Sequence, residues 1–177
     1  MPANFYKALL PRDLNAIVAY LHTIKPVRNE VPAPEYKAQV QRPQYPDAAF
    51  DFSERALTDP VNRGRYLATI GHCMECHSAW SRGVADYQTG LGRGGRLFGP
   101  SLVEGQSKSA QAANITSDPV TGIGAWTDDE IKSAIRQGMS RDKHPLQPPM
   151  PYRYYARLTD SDVGDLVAYL RTVSPLK

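Results

Sequence analysis

Apolar residues recur at intervals of three and four positions near both ends of the chain. This spacing places them on one side of an α-helix, so each stretch predicts an amphipathic helix that packs through a single face. Each stripe contains four aliphatic residues: Leu14, Ile17, Val18 and Leu21 near the beginning, and Val163, Leu166, Val167 and Leu170 near the end. The chain is therefore predicted to carry two similar helices, one at each end.

The two stripes belong to a longer internal repeat. Residues 1–26 align with residues 150–175 at a constant offset of 149, with eleven identical positions. Thr159, followed by Asp162 three residues later, predicts the start of the second helix as a variant capping box. We interpret residues 1–26 as the C-terminal remnant of a preceding domain of the same kind, because eleven identities at one offset argue against an ordinary N-terminal helix.

The middle of the chain divides into a linker and a main domain. Residues 27–52 contain several prolines and no apolar periodicity, which predicts an extended Pro-rich linker. Residues 53–177 then form the main domain. Asp59 followed by Pro60 is typical of a helix start, so we predict a helix from about residue 60 to Cys73.

The stretch from Ser78 to Trp126 is predicted to be a long loop. It holds nine of the 13 glycines and shows no clear periodic element. A further helix is predicted from Thr127 to Gly138. With no strand pattern elsewhere, the sequence predicts an all-α domain with long connections.

Composition and charge exclude several classes of protein. The net charge of +3 comes without a run of Lys or Arg, so nucleic-acid binding is not expected. No apolar stretch reaches the roughly 18 residues that a membrane-spanning helix needs. The first residues, Met1-Pro2-Ala3-Asn4-Phe5, lack the features of an export signal, so we expect either a mature product or a missing upstream part.

The only two cysteines lie in the pentapeptide Cys73-Met74-Glu75-Cys76-His77. This is the C-x-x-C-H pattern of covalent haem c attachment. On one helical turn, both sulfurs can reach the haem vinyl groups while the His77 imidazole points at the iron. A thioredoxin-like redox pair would need a βαβ pattern around the cysteines, and a zinc site would need a second pair of ligands. Neither is apparent.

The second axial ligand is expected to be Met150. Met or His usually fills this position in an electron-transfer haem protein, and the prolines on both sides of Met150 favour a rigid extended backbone. Met74 lies inside the attachment motif, and Met139 follows a predicted helix, where a core methionine is the ordinary explanation. His144 is the rival, with a solvated loop histidine as its alternative interpretation.

The arrangement resembles class I cytochromes c. The resemblance rests on a helix that bears Gly64, Tyr66 and Leu67, then C-x-x-C-H, a glycine-rich loop, a late methionine and a C-terminal helix. It implies the cytochrome c fold, with a few helices around one covalent haem c and long loops. It also implies that Gly64 contacts Tyr169. Within Phe98-Gly99-Pro100-Ser101-Leu102, it implies that the Pro100 carbonyl accepts a hydrogen bond from His77.

A second resemblance is to the cytochrome c subunits of bacterial periplasmic and membrane-associated dehydrogenases. It rests on Asn114-Ile115-Thr116 and on Thr121-Gly122-Ile123-Gly124-Ala125-Trp126. It implies that Trp126 packs at the haem edge, and that Arg93, Arg96 or Tyr152 meets the propionates. The alternatives are an ordinary core tryptophan and solvated arginines.

The resulting hypothesis is a periplasmic electron carrier, not an enzyme, that passes electrons from a dehydrogenase to a respiratory acceptor. Its expected partners are a dehydrogenase subunit, a terminal oxidase or another cytochrome, with self-association through the helix in residues 1–26 as a further possibility. One alternative is a haem enzyme, peroxidase-like or thiosulfate-oxidising, with a displaceable sixth ligand. A gas or redox sensor is another, although no output domain is visible.

Overall fold

The computed structural model describes residues 3–35, 45–100 and 109–177. Seven α-helices lie in these residues: α1 (Ala3–Tyr6), α2 (Pro11–Thr23), α3 (Pro60–Ile70), α4 (Cys73–His77), α5 (Asp128–Gln137), α6 (Tyr152–Tyr155) and α7 (Asp160–Thr172). Two 3₁₀ turns, Pro46–Ala49 and Ala56–Thr58, precede α3.

Four short strands lie in the stretch that was predicted to be a loop. β1 (Ala79–Ser81) pairs with β2 (Val84–Asp86), and β3 (Leu97–Phe98) pairs with β4 (Ala110–Gln111), both antiparallel. The strands have two or three residues each, too few for an alternating pattern to stand out in the sequence. The prediction of an all-α domain is therefore corrected to a helix-rich domain with two small hairpins.

The predicted helix starts are confirmed by their caps, whereas α3 ends at Ile70 and not at Cys73 as predicted. Asp59 accepts a hydrogen bond from the Asn62 backbone N–H, and α3 begins at Pro60. Thr159 and Asp162 form the predicted capping box of α7. In α5, Thr127 and Glu130 form a second box, and Gly138 ends the helix in the left-handed conformation.

The core centres on the crossing of α3 and α7. A Cβ atom added at Gly64 would lie 1.8 Å from the carbonyl oxygen of Asp165 and 2.8 Å from the Tyr169 Cβ. Only glycine allows the two helices to approach this closely, and the predicted contact between Gly64 and Tyr169 is confirmed. Arg63 pairs with Asp162 and, at 2.9 Å, with Asp165, which fixes the helices at the same crossing.

Part of the predicted linker packs on this core. Residues 27–35 are exposed and irregular, as expected, but Tyr45, Asp47 and Phe52 are buried. The Asp47 carboxylate accepts hydrogen bonds from the hydroxyls of Tyr45 (2.8 Å) and Tyr169 (3.0 Å), and it also pairs with Arg65. The structure therefore places residues 45–52 on the main domain, since burying a carboxylate requires such partners.

The N-terminal segment docks on the main domain through residues 5–10. Phe5, Ala8 and Leu10 are buried, and the Leu10 backbone N–H donates to the Tyr66 hydroxyl at 3.2 Å. That hydroxyl donates in turn to Asp13 at 2.6 Å. Beyond this contact, α2 has no buried residue along its whole length.

Candidate functional site

The attachment motif forms its own short helix, α4, directly after α3. His72 adopts the left-handed conformation (φ 60°) and turns the chain between the two helices. Met74 points into the core and is completely buried, while Cys73 and Cys76 are half-buried and form no disulfide. Met74 is therefore unavailable as an iron ligand, as expected, while the half-buried Cys73 packs against the edge of the same core.

The environment of the cysteines does not suit thiol–disulfide chemistry. Burial raises the pKa of the Cys73 thiol to about 12. Burial also raises the pKa of Cys76, although the nearby positive charge of Arg96 acts in the opposite direction. A redox-active cysteine pair relies on a thiolate with a lowered pKa, so the thioredoxin-like alternative loses support.

The His77 imidazole is fixed in one tautomer by a backbone carbonyl. Its Nδ1 lies 2.8 Å from the carbonyl oxygen of Ala113. A carbonyl only accepts, so Nδ1 must carry the proton, and Nε2 keeps a lone pair for a metal. Burial lowers the pKa of His77, an effect that the Ala113 hydrogen bond opposes. The donor set of two thiols and one such imidazole fits haem c.

Ala113, not Pro100, supplies the carbonyl that orients His77, which corrects the prediction for Pro100. Pro100 lies exposed just after β3. Ala113 follows β4 and is brought to the motif by Gly94, whose backbone N–H donates to the His77 carbonyl oxygen at 2.6 Å. A Cβ at Gly94 would lie 2.5 Å from the Ala113 carbonyl carbon, so glycine permits the contact.

The sequence contained a signal for this residue. Ala113 directly precedes Asn114-Ile115-Thr116, the stretch on which the second resemblance rests. Residues Ser101 and Leu102 of the segment that pointed to Pro100 lie outside the described residues.

Three more of the predicted site residues lie in separate places. Trp126 is half-buried and packs against the main core. Tyr152 is half-buried at the start of α6, and its ring packs on Gly138. A Cβ atom added at Gly138 would lie 2.6 Å from the Tyr152 ring. Met150 is half-buried between Pro149 and Pro151.

The two rival ligands have ordinary local environments. His144 is exposed in a loop, where its backbone bonds to Ser140. Met139 forms an isolated β-bridge with Pro145.

Arg96 lies over the end of α4. Its guanidinium carbon is 3.7 Å from the centroid of the Trp80 ring, and its Nη1 donates to the Glu75 carbonyl oxygen at 3.3 Å. No pattern in the sequence singles out Trp80. Its nearness to the motif comes from β1, which begins two residues after His77.

The N-terminal segment also contacts the attachment turn. The Phe5 ring stacks on the His72 imidazole, with centroids 4.6 Å apart. On another side of the turn, the Tyr155 hydroxyl donates to the Gly71 carbonyl oxygen at 2.8 Å. Both contacts hold the backbone immediately before Cys73.

Comparison with known proteins agrees with this geometry. The profile of the cytochrome c family matches residues 61–174, which include the motif, Met150 and α7. The chain belongs to this family. As a cytochrome c domain it serves electron transfer with a covalent haem c.

Several relatives are named as cytochrome subunits. The chain is 35% identical over 118 residues to the gluconate 2-dehydrogenase cytochrome c subunit of Pantoea cypripedii, covering 66% of this chain and 24% of the relative. It is 35% identical over 113 residues to the fructose dehydrogenase cytochrome subunit of Gluconobacter japonicus, covering 63% and 21%. It is also 35% identical over 122 residues to a diheme c-type cytochrome of Cereibacter sphaeroides, covering 67% and 38%. The match thus spans well under half of each relative.

Among the described residues, none of the helices combines the length and the apolar character needed to cross a bilayer.

Proposed function

We propose that the chain carries one haem c, bound through thioether bonds to Cys73 and Cys76, with His77 and Met150 as the axial iron ligands. The observation that carries the proposal is the His77 imidazole, held with Nδ1 on the Ala113 carbonyl and Nε2 free, on the same helix as both cysteines. When bound, the haem supplies a one-electron couple between ferrous and ferric iron.

The protein's part in electron transfer is to hold the iron ligands still while the charge changes. Ala113 orients His77. Met150 lies between two prolines whose φ angles are restricted by their rings. Ligands that remain bound in both oxidation states leave little structural change to accompany each electron. This favours a carrier over a haem enzyme, which needs an open or displaceable sixth position.

Two aromatic residues belong to the same proposal. Trp126 lies at the edge of the core, and Tyr152 lies two residues beyond Met150 and packs on the end of α5 at Gly138. We assign Trp126 to the haem edge. Tyr152 supports the loop that presents Met150 and would meet a propionate of the bound haem.

The redox partners follow from the relatives' names. Two of these relatives are cytochrome subunits of gluconate and fructose dehydrogenases. By analogy, the electron donor is a dehydrogenase subunit outside the cytoplasm, and the acceptor is another cytochrome or a terminal oxidase.

Residues 1–26 are proposed to be the last part of another cytochrome c unit in a longer polypeptide. The repeat supports this, because the four stripe residues of α2 align with residues of α7 that α3 and the core cover. In α2 these side chains are exposed, with 48% of Leu14 and 55% of Leu21 accessible to solvent. The intact mass of the native polypeptide tests the proposal: a second haem-binding unit supports it, and its absence contradicts it.

The axial ligands are tested by visible spectroscopy of chain that carries covalent haem. Wild type is expected to show the weak far-red charge-transfer band of Met-ligated ferric haem, and Met150→Ala is expected to lose it. Met139→Ala is the matched control and should keep the band. If Met150→Ala retains the band, Met150 is not the ligand.

Carbon monoxide binding separates the carrier from the haem-enzyme alternative. Binding of carbon monoxide to the reduced wild type would support the haem enzyme.

The haem count is tested by intact mass. We expect one haem per 177-residue chain, because the cysteines form a single C-x-x-C-H motif. Replacing either Cys73 or Cys76 by alanine leaves a single thioether bond, and replacing both leaves a haem that acid–acetone extraction removes. A haem that survives extraction from the double variant would contradict this assignment.

A further inference from the structure

Arg96 lies in a sandwich of aromatic rings beside the attachment helix. Its guanidinium carbon is 3.7 Å from the Trp80 ring centroid and 4.6 Å from that of Phe98. Its Nη1 donates to the Glu75 carbonyl oxygen. Glu75 directly precedes Cys76, so the positive charge sits next to a haem-attachment residue.

The end of α4 explains why a cation is held there. If the helix continued, the Ala79 backbone N–H would bond to the Glu75 carbonyl, but it donates to Gly90 O at 2.8 Å instead. The Glu75 carbonyl is left without a backbone donor. Trp80 Nε1, at 3.1 Å, and Arg96 Nη1, at 3.3 Å, take that place.

Arg96 forms no ion pair within the part of the chain that the structure describes, although its charge adds to the effect of the His72 hydrogen bond in lowering the pKa of the nearby Glu75 carboxyl. In that part of the chain, no carboxylate oxygen lies within 4.0 Å of its guanidinium, whereas Arg63, Arg65 and Arg171 each pair with an aspartate. The Glu75 carboxylate bonds to His72 Nδ1 at 3.1 Å instead. A half-buried cation without an adjacent partner acts over a longer range than an exposed, paired one.

We propose that Arg96 raises the reduction potential of the haem by holding a positive charge against the attachment helix. The inference rests on the proposed function, namely that haem c is bound at Cys73, Cys76 and His77. A positive charge near the haem stabilises the reduced iron relative to the oxidised iron by Coulomb's law. Trp80 and Phe98 keep the guanidinium in place, so that the charge does not swing into solvent.

The test is a spectroelectrochemical titration of the holoprotein. Arg96→Gln removes the charge and is expected to lower the midpoint potential, while Arg96→Lys keeps the charge and should stay close to wild type. Arg82→Gln is the matched control: Arg82 is exposed in the turn between β1 and β2, and its removal is expected to leave the potential unchanged.

Two results would overturn the inference. An unchanged potential in Arg96→Gln would show that the charge does not act on the haem. An equal fall in Arg96→Lys and Arg96→Gln would show that the shape of the guanidinium matters, and not its charge.

A second variant covers the case in which Arg96→Gln fails to mature. Trp80→Leu keeps the arginine but removes the ring beneath it, so the midpoint potential is expected to fall by less than in Arg96→Gln. An unchanged potential in Trp80→Leu would overturn the inference. Failure of the proposed function looks different: wild type itself would lack covalent haem or the far-red band.

Discussion

Helices α2 and α7 share a sequence pattern but have opposite environments. Val18 and Val167 occupy equivalent positions, and 44% of the first side chain is exposed compared with 2% of the second. Tyr20 and Tyr169 differ in the same way, at 67% and 5%. An amphipathic stripe indicates that a helix packs against a partner. Only one of these two helices has its partner within the described residues.

The partner of α7 is α3, and their crossing depends on one glycine. In α2, the residue aligned with Asp165, whose carbonyl meets Gly64, is the exposed Ala16. The equivalent surface of α2 is therefore open to another helix. This is consistent with the proposal that α2 belongs to a second unit.

The largest expected effect comes from filling the α3–α7 crossing. Gly64→Val would drive a side chain into the Asp165 backbone, so we expect a loss of at least about 3 kcal/mol in the free energy of unfolding, or a chain that fails to fold. Gly164→Ala is the control, because a Cβ there meets nothing within 4 Å. It should be neutral or stabilising by up to about 1 kcal/mol. Guanidinium unfolding of both holoproteins measures the difference, and a Gly64→Val protein as stable as wild type would contradict the crossing.

The second-largest effect is expected from truncating equivalent leucines in the two apolar stripes. Leu170→Ala removes a side chain that is 5% exposed and should cost about 2–5 kcal/mol, since it leaves a cavity. Leu21→Ala changes the equivalent residue, which is 55% exposed, and should stay within about 0.5 kcal/mol of wild type. Urea unfolding at equal haem content checks the pair. Equal losses in the two variants would mean that α2 is covered in the 177-residue chain, as self-association would require.

The smallest effect concerns the hydrogen bonds that fasten the beginning of α2. Burial and the hydrogen bond to Asp13 raise the pKa of Tyr66 from about 10 to about 12. The folded pKa lies above the unfolded value, so this contribution is complete below pH 10 and is lost as the pH rises through about 12. Tyr66→Phe should be less stable by about 1 kcal/mol at pH 8.

The measurement is the difference in unfolding free energy between wild type and Tyr66→Phe across this pH range. Other buried tyrosines titrate in both proteins and cancel in the difference. A gap that stays constant to above pH 12 would show that the Tyr66 hydroxyl does not fasten α2.

Local sequence signals predicted much of the site and of the helical frame. The attachment motif, the caps of α3 and α7 and the contact between Gly64 and Tyr169 were all expected, because each depends on residues close in sequence or on a family pattern. Met150 and the remnant origin of residues 1–26 stay predictions. The short hairpins and the burial of Tyr45, Asp47 and Phe52 were missed, because pairing of two or three residues and a buried carboxylate depend on contacts distant in the chain.

By itself, the sequence determined the chemistry: two cysteines and a histidine on one helical turn, and an amphipathic stripe repeated at both ends. The tertiary structure decided which backbone carbonyl orients His77, which cation lies over the attachment helix and which copy of the stripe is buried. These outcomes depend on groups that lie from 21 to 102 residues apart in the sequence. Spacing along the chain fixes which side chains share a helix face, whereas packing alone fixes what lies opposite that face.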